Sequence, residues 1–565
     1  MPSYLSPQTT QTSGGNGGFY LFMLIMCGFF IVMPYFSGSK QQQVQTPAAT
    51  TETETVKSKP QIKVAYPIEE RTIETPEYKL VLTNVGGGRA SQFYIKTPDR
   101  YATHGETGDF IRSQKPADSS MGGYLPFEVT LPYFQVGKET QFQITSDAND
   151  TAKVNMRYAS PDGSLVVEKS FAKTDIPYVI RQEIKLTNNT AQPISDELTT
   201  TLYIKQLEEE APSLFKAGSF VAAKCFADDD MEYLDYNDKN ENESYKTSVK
   251  WTAVDESYFA IALYSDKAAS CSIENEVFKE MNKTSGKEEE DRLLKSSMKV
   301  PVLLQPGSSE TYSYNIFMGP KESQYLEPFG NNLEDIIDYG WIEVLAKPMA
   351  WILATFKGWL GNWGLAIILL TFIVRLFLWP LAHKSQMSML GMSKIAPLMQ
   401  ELQSKYKDDQ QKLAEETMKL YKEYNINPAS GCLPLLIQMP VFFALYRCIF
   451  VTGGLYHAPF YGWIHDLSAP DPYFILPIFS VVLLVSQQLL TPTQTKNTQQ
   501  RVMMIMMPVI FGIMMLFLPS GLCLYMIVSS GIGMIQSFYC RKLAAKMDIA
   551  PVGDAKSATI DVEAK

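Results

Sequence analysis

From residue 362 onward the chain carries a series of apolar runs near the length that crosses a bilayer, whereas residues 37 to 330 are rich in Thr, Ser, Glu, Asp and Tyr. At 565 residues the chain is too long for one ordinary domain, and its 45% hydrophobic content averages over this division. Two bodies follow, one soluble and one embedded in a membrane. The net charge of -10 comes largely from acidic clusters in the polar half, such as Glu208 to Glu210, Asp228 to Asp230 and Glu288 to Asp291. That balance argues against a nucleic-acid-binding surface there.

The first apolar run, Phe19 to Phe36, has the length of a membrane helix and is followed by a linker over 37–60. It reads as a signal anchor. A cleaved signal peptide is the alternative, but no Lys or Arg precedes the run and no clear small-residue cleavage site follows it. Further spans are expected at 362–382, 432–450, 475–490, 503–518 and 521–538, giving six. Basic residues set the orientation. Lys384, Lys394, Lys405, Lys407, Lys412, Lys419 and Lys422 fall in the segment 383–431, and Lys496 and Arg501 in the next loop on that side. Arg541, Lys542 and Lys546 open the tail 539–565, while the loops 451–474 and 519–520 contain no Lys or Arg. Residues 1–18, the 383–431 helical hairpin and the tail are therefore cytoplasmic. The polar domain, 61–325, lies outside, in the periplasm of a Gram-negative cell.

Within that exported domain, Tyr78 to Thr83, Gln141 to Thr145, Ser164 to Phe171, Tyr178 to Leu186 and Thr311 to Met318 alternate apolar with polar residues between Asn-, Asp-, Gly- and Pro-rich turns. This is an all-β sandwich pattern. Cys225 and Cys271 could pair in an oxidising compartment or remain two buried thiols; spacing does not decide. No CxxC or Cys/His cluster supports a metal. Leu333, Ile337, Trp341, Leu345 and Met349 recur at helical spacing, so 331–360 is expected to be an amphipathic helical region along the outer membrane surface, kinked or divided at Pro348. Trp351, Trp359 and Trp363 favour that interface.

Arg375 interrupts the apolar run Thr371-Phe-Ile-Val-Arg375-Leu-Phe-Leu-Trp-Pro380, with Thr371 one turn earlier on the same face. Facing lipid without relief, it would cost about 3 to 17 kcal/mol. It either faces water or polar partners, or snorkels to the cytoplasmic boundary. Gln438, Ser529 and Ser530 are candidate companions, although each could bond its own helix backbone. Together they suggest a wet cavity inside the bundle.

Gly361-Asn-Trp-Gly364, Thr371 to Arg375, Asn427-Pro428, Gly431-Cys-Leu-Pro-Leu-Leu-Ile-Gln-Met-Pro440, Trp463 to Ser468 with Asp471-Pro-Tyr473, and Pro519-Ser-Gly-Leu522 with Leu524-Tyr525 stand in an order that resembles the YidC family of membrane protein insertases. The resemblance implies a mutarotase-like β-sandwich, a five-helix core, and a groove open to cytoplasm and lipid but closed outside. It implies that Arg375 is the groove arginine, with Thr371, Gln438, Ser529, Ser530 and Tyr525 lining the groove. Ser530 stands where relatives are expected to carry Asn. The tail Met547 to Lys565 mixes Asp and Glu with Lys, which offers little to a ribosome.

The implied function is insertion of nascent inner-membrane proteins, alone or with the Sec translocon and in contact with membrane lipids. Met503, Met504, Met506 and Met507 offer the adaptable slide for an apolar segment. No GxxxxGK[ST] occurs, so no ATP-hydrolysing enzyme and no cofactor are expected. A secondary transporter with an intramembrane arginine site is the rival reading, but it would usually show paired Gly/Pro-broken spans. A sugar-modifying enzyme is disfavoured because the exported domain holds one histidine, His104.

Overall fold

A computed structural model of the chain describes residues 66–545 except 97–123, 148–149, 207–220, 236–237, 239, 246–247, 282–287, 408, 425, 427–432, 491–505 and 507–508. The first apolar run, His104, Met503, Met504 and Met507 lie outside the described residues. The chain divides into a β unit, Gly38–Glu343 with Arg447–Ser468, and a helical unit, Val344–Tyr446 with Ala469–Lys565 and Met1–Ser37.

The β unit runs β1 (Glu70–Glu74), β2 (Tyr78–Thr83), β3 (Arg89–Ile95), β4 (Glu128–Thr130), β5 (Gln143–Ile144), β6 (Lys153–Ala159), β7 (Leu165–Lys173), β8 (Val179–Asn188) and β9 (Ile194–Gln206). It continues with β10 (Ala222–Ala227), β11 (Asp230–Asp235), β12 (Asn242–Tyr245), β13 (Val249–Asp255), β14 (Phe259–Ser265), β15 (Ser270–Met281), β16 (Glu288–Leu304) and β17 (Ser309–Pro320). A large sheet has the order β11-β10-β13-β14-β17-β8-β7-β6-β5, a second β12-β15-β16-β9-β4, and β1-β2-β3 form a third. Every pairing among the named strands is antiparallel. Burial alternates along β6 and β8, whose one face is covered, but is continuous along β10, a strand packed on both faces. β10 and β13 of the large sheet lie against β15, β16 and β9 of the second. Cys225 on β10 and Cys271 on β15 form a disulfide across that contact, answering the pairing that spacing had left open.

The five alternating segments fall on β2, β5, β7, β8 and β17. Gly163 (φ 69°) makes the hairpin turn between the paired strands β6 and β7, and Gly307 (φ 67°) makes the turn from β16 of the second sheet to β17 of the large one; both adopt the left-handed conformation that a side chain would strain.

The helices are α1 (Glu343–Leu360), α2 (Trp363–Lys394), α3 (Ala396–Lys405), α4 (Gln410–Glu423), α5 (Leu433–Val451), α6 (Ile475–Leu490) and α7 (Ser520–Ala544), with a further helical stretch at 509–515. Only α2 and α7, among the described residues, are by themselves both long and apolar enough to cross a membrane; Leu436–Val451 and α6 are apolar but shorter.

Three expectations are corrected. The 331–360 region is not one amphipathic helix: Leu333–Ile336 and Gly340–Ile342 are separate 3-10 turns, Ile337 is extended, and Gly340 has φ 64°. Leu333 and Ile336 are fully buried in the β unit, so their periodicity records burial and not a continuous helix. Pro348 stands inside α1 as its sixth residue and does not divide it: the ring removes one backbone bond, the one to the carbonyl of Val344, and the helix continues to Leu360. The hairpin does not begin at residue 383 either. α2 continues to Lys394, and the break comes at Ile395, with Pro397 at the start of α3.

Candidate functional site

The site is built on α2, α5 and α7. Asn362 caps α2, its Oδ1 accepting from the amides of Gly364 (2.8 Å) and Leu365 (3.2 Å), which fixes where the helix begins. Three turns on, Arg375 donates from Nε to Ser529 Oγ on α7 at 2.8 Å. Ser529 also accepts from Gln438 Nε2 on α5 at 3.2 Å, and Gln438 donates to the Tyr525 hydroxyl. Tyr525 and Ser529 lie one turn apart on α7 and are both buried, while Arg375 and Gln438 are partly exposed. Four residues from three helices thus form one polar set. Among the described residues it includes no carboxylate, and Arg375 makes no ion pair.

Thr371 behaves differently. Its hydroxyl donates to Ile367 O at 2.6 Å, one turn back in α2, so it satisfies its own helix and stands beside the set without joining it. Ser530 is buried next to Ser529 but outside these bonds. Met506 is exposed, the one member of the methionine group among the described residues.

Among the described residues, the side-chain polar contacts between α2 and α7 run from Arg375 towards Lys394. Along α2 and α7, Gln536 Nε2 donates to Trp379 O (3.2 Å), His383 Nδ1 meets Cys540 Sγ (3.1 Å), Gln386 bonds Ser537, and Lys394 Nζ donates to Ala544 O (2.7 Å). Gln487 of α6 reaches this seam over Gly533, where an added Cβ would sit 2.7 Å from its Nε2. In the other direction the buried positions are Trp363, Ala366, Ile367 and Leu370 of α2 and Leu522, Cys523 and Leu524 of α7. The site is polar towards Lys394 and apolar towards Trp363. Its boundary on the Trp363 side is firm: Ser520 donates from N (2.7 Å) and Oγ (2.9 Å) to Ala469 O, and Asp471 Oδ2 accepts from Leu476 N at 2.7 Å at the start of α6.

α7 is the central helix, 61% of its apolar window being buried against 22% for α2. Phe372, Leu376 and Phe377 of α2 and Ile478, Phe479 and Val482 of α6 are large apolar side chains left exposed. Leu390 of α2 packs with Cys540 and Ala544 of α7, and Met387 packs against them.

Sequence reasoning missed Arg447, a second basic residue inside an apolar helix. It lies near the end of α5 and is held by Asp338, its Nη2 donating to Asp338 O at 2.7 Å. The signal was present, since Arg447 interrupts the run Leu433–Val451 much as Arg375 interrupts its own.

Comparison with known proteins agrees with the division of the chain. Residues 355–547 match the family described as 60Kd inner membrane protein, and residues 72–352 match the YidC periplasmic domain. A protein of Geobacter sulfurreducens named membrane protein insertase YidC is 30% identical over 478 residues, covering 83% of this chain and 85% of the relative. One of the same name from Burkholderia cenocepacia is 33% identical over 472 residues, covering 82% and 81%. A solved structure of an active YidC insertase, with its first transmembrane domain resolved, aligns over 92% of this chain and 99% of that one at 19% identity, with a TM-score of 0.37.

Proposed function

This chain belongs to the YidC family of membrane protein insertases, and we propose that it performs insertion at the polar set of Arg375, Gln438, Tyr525 and Ser529. It is an inner-membrane insertase with a periplasmic domain, it acts on nascent membrane proteins, and it is not an enzyme. The six-span count, the cytoplasmic placement of both termini and a mutarotase-like sandwich for the β unit belong to the proposal. So do the slide of Met503, Met504, Met506 and Met507 and the contacts with the Sec translocon and lipids. The disulfide supports the orientation, since such a bond persists in an oxidising compartment.

The energetic problem is one of flanks. About 20 apolar residues entering lipid at roughly 0.3–0.6 kcal/mol each gain about 6–12 kcal/mol, while each charged residue crossing the centre costs about 3 kcal/mol. A flank with more than a few charges therefore needs a hydrated path. The polar seam from Arg375 to Lys394, closed by apolar side chains on the Trp363 side, supports a half-channel open to the cytoplasm. Water there solvates the flank while the apolar segment leaves along the exposed faces of α2 and α6.

The observation that carries this reading is Arg375 bonded to a neutral hydroxyl, with no ion pair among the described residues. Its hydrogen bonds contribute about 1.5–3 kcal/mol each, too little to offset burial in hydrocarbon at the upper end of the cost range, so water or a passing anionic group must complete its surroundings. The test is reconstitution in liposomes with a single-span substrate carrying a photo-crosslinker in its polar flank. Crosslinks to peptides containing Gln438 or Ser529 are expected during insertion; crosslinks confined to the β unit would contradict the proposal. A secondary transporter would instead show stoichiometric uptake of a small solute.

A further inference from the structure

We propose that His383, Met387 and Cys540 form a binding site for a soft monovalent metal ion, Cu(I), between α2 and α7 of the helical unit. The inference is independent of the polar set around Arg375.

His383 Nδ1 lies 3.1 Å from Cys540 Sγ, a contact between residues 157 positions apart, so no spacing in the sequence announces it. Met387 follows His383 by one helical turn and stands on the same face of α2. The register of the two helices puts its thioether beside the thiol. Cys540 meets His383 on one side and packs with Leu390 on the other, and Met387 lies between those two positions and packs against the cluster of Leu390, Cys540 and Ala544. The helices are held in this register on both sides of the trio, by Gln536 Nε2 donating to Trp379 O at 3.2 Å and Lys394 Nζ donating to Ala544 O at 2.7 Å. Cys540 is fully buried, while His383 and Met387 are half-buried, so the approach to the thiol is from their side.

The donor set decides the metal. A thiolate, a thioether and an imidazole are soft or borderline ligands, a combination that selects Cu(I) over the hard dications, which take oxygen ligands. Zn(II) draws its ligands from thiolate, imidazole and carboxylate, so the thioether would contribute nothing to it. Binding releases the Cys540 proton to solvent and forms the bond from sulfur to metal, with no change of oxidation state. The thiolate cancels the charge of the ion, and the complex is neutral. That suits a place where Leu390 and Ala544 are apolar and the charged residues adjoining the ligands in sequence, Lys384 and Arg541, are both positive.

The spacing fits with little movement. With bonds of about 2.0 Å to nitrogen and about 2.3 Å to sulfur, two ligand atoms of one ion stand roughly 3.5 Å apart at tetrahedral angles. The 3.1 Å contact has to open by about 0.4 Å, which a half-buried imidazole can supply. An ion held there ties α2 to α7 between Trp379 and Lys394, along their polar seam.

The test uses the full chain in detergent micelles and Ag(I) alone as a redox-inert probe for a soft monovalent site. Calorimetric titrations compare the native chain with Cys540→Ser, His383→Gln and Met387→Leu, the last of which conserves packing volume. Cys448 and Cys523 are further free thiols, so the quantity read is the difference from Cys540→Ser. The native chain should bind one more Ag(I) than Cys540→Ser, and His383→Gln and Met387→Leu should each weaken that ion by about tenfold or more. Ag(I) held as tightly by Met387→Leu as by the native chain would reduce the site to a single thiol and overturn the proposal. Displacement of the ion by Zn(II) at equal concentration would overturn it as well, as would equal binding by the native chain and Cys540→Ser. Should Cys540→Ser fail to accumulate, the shifts in His383→Gln and Met387→Leu decide with the thiol in place.

Discussion

In the β unit Lys224 and Lys321 share the Asp255 carboxylate, Arg89 lies 3.6 Å from Glu128, and the buried Lys169 ammonium donates to the carbonyls of Gly88 (2.7 Å) and Phe127 (2.8 Å). In the helical unit Arg375 meets a serine hydroxyl and makes no ion pair among the described residues. The first arrangement is closed, since each of these buried cations is paired with a carboxylate or bonded to backbone carbonyls inside the protein. The second is open. A cation left partly exposed among neutral partners is available to water and to whatever passes it, which suits transport of a chain more than support of a fold.

If that contrast is right, removing a partner should damage folding in one unit and insertion in the other. The largest effect is expected for Asp255→Ala, which takes the shared carboxylate from two buried ammonium groups, leaving Lys224 its bond to Ile336 O, and should cost about 3–5 kcal/mol of β-unit stability, read as protease resistance of the full chain in denaturant. A loss below 1 kcal/mol would show that the lysines find water, and that the β unit is not closed. Next, replacing Cys225 and Cys271 with serine removes the link between the two larger sheets and should cost about 2–4 kcal/mol by the same assay, with insertion at matched levels unchanged. Insertion lost in proportion would tie the β core to the chemistry.

The smallest effect is in acid. Burial pushes the Asp338 carboxyl up, but the Arg447 guanidinium, followed by Lys224, the Gly340 amide and Lys321, outweighs it and holds the group below the usual aspartate range. Its folded pKa is depressed, so its contribution is fully present above the unfolded value near 3.8 and is lost only as pH falls through the lower folded value. Glu128 is the opposite case: burial raises it despite Arg89, so protonation favours the folded state there. Acidification from pH 7 to 5 should leave the Asp338 contact intact and, if anything, steady the Arg89 region, by hydrogen exchange of the two segments. Faster exchange around Asp338 over that range would reverse the assigned sign.

Much of this was legible in the sequence because side-chain period reports burial directly. β2 and α6 fall where alternation and the apolar run place them, and Arg375 stood out against its run. The same logic misread Leu333 to Met349, because burial spaced three to four residues apart also arises from short turns packed on a sheet. It could not foresee that Thr371 bonds its own backbone, since two polar residues one turn apart can point at each other or inward alike. The pairing of Arg447 with Asp338 was hidden for another reason. A contact across 109 residues leaves no local trace.

Charge at position 375 tests the central claim most directly. Arg375→Lys, Arg375→Ala and Arg375→Glu are compared at matched membrane levels, on one single-span substrate with an acidic translocated flank and one with a neutral flank. An open cation acting through its field predicts that Lys keeps much of the activity, and that Glu fails on the acidic flank while retaining more on the neutral one. Equal activity of all three variants on both substrates would contradict the account.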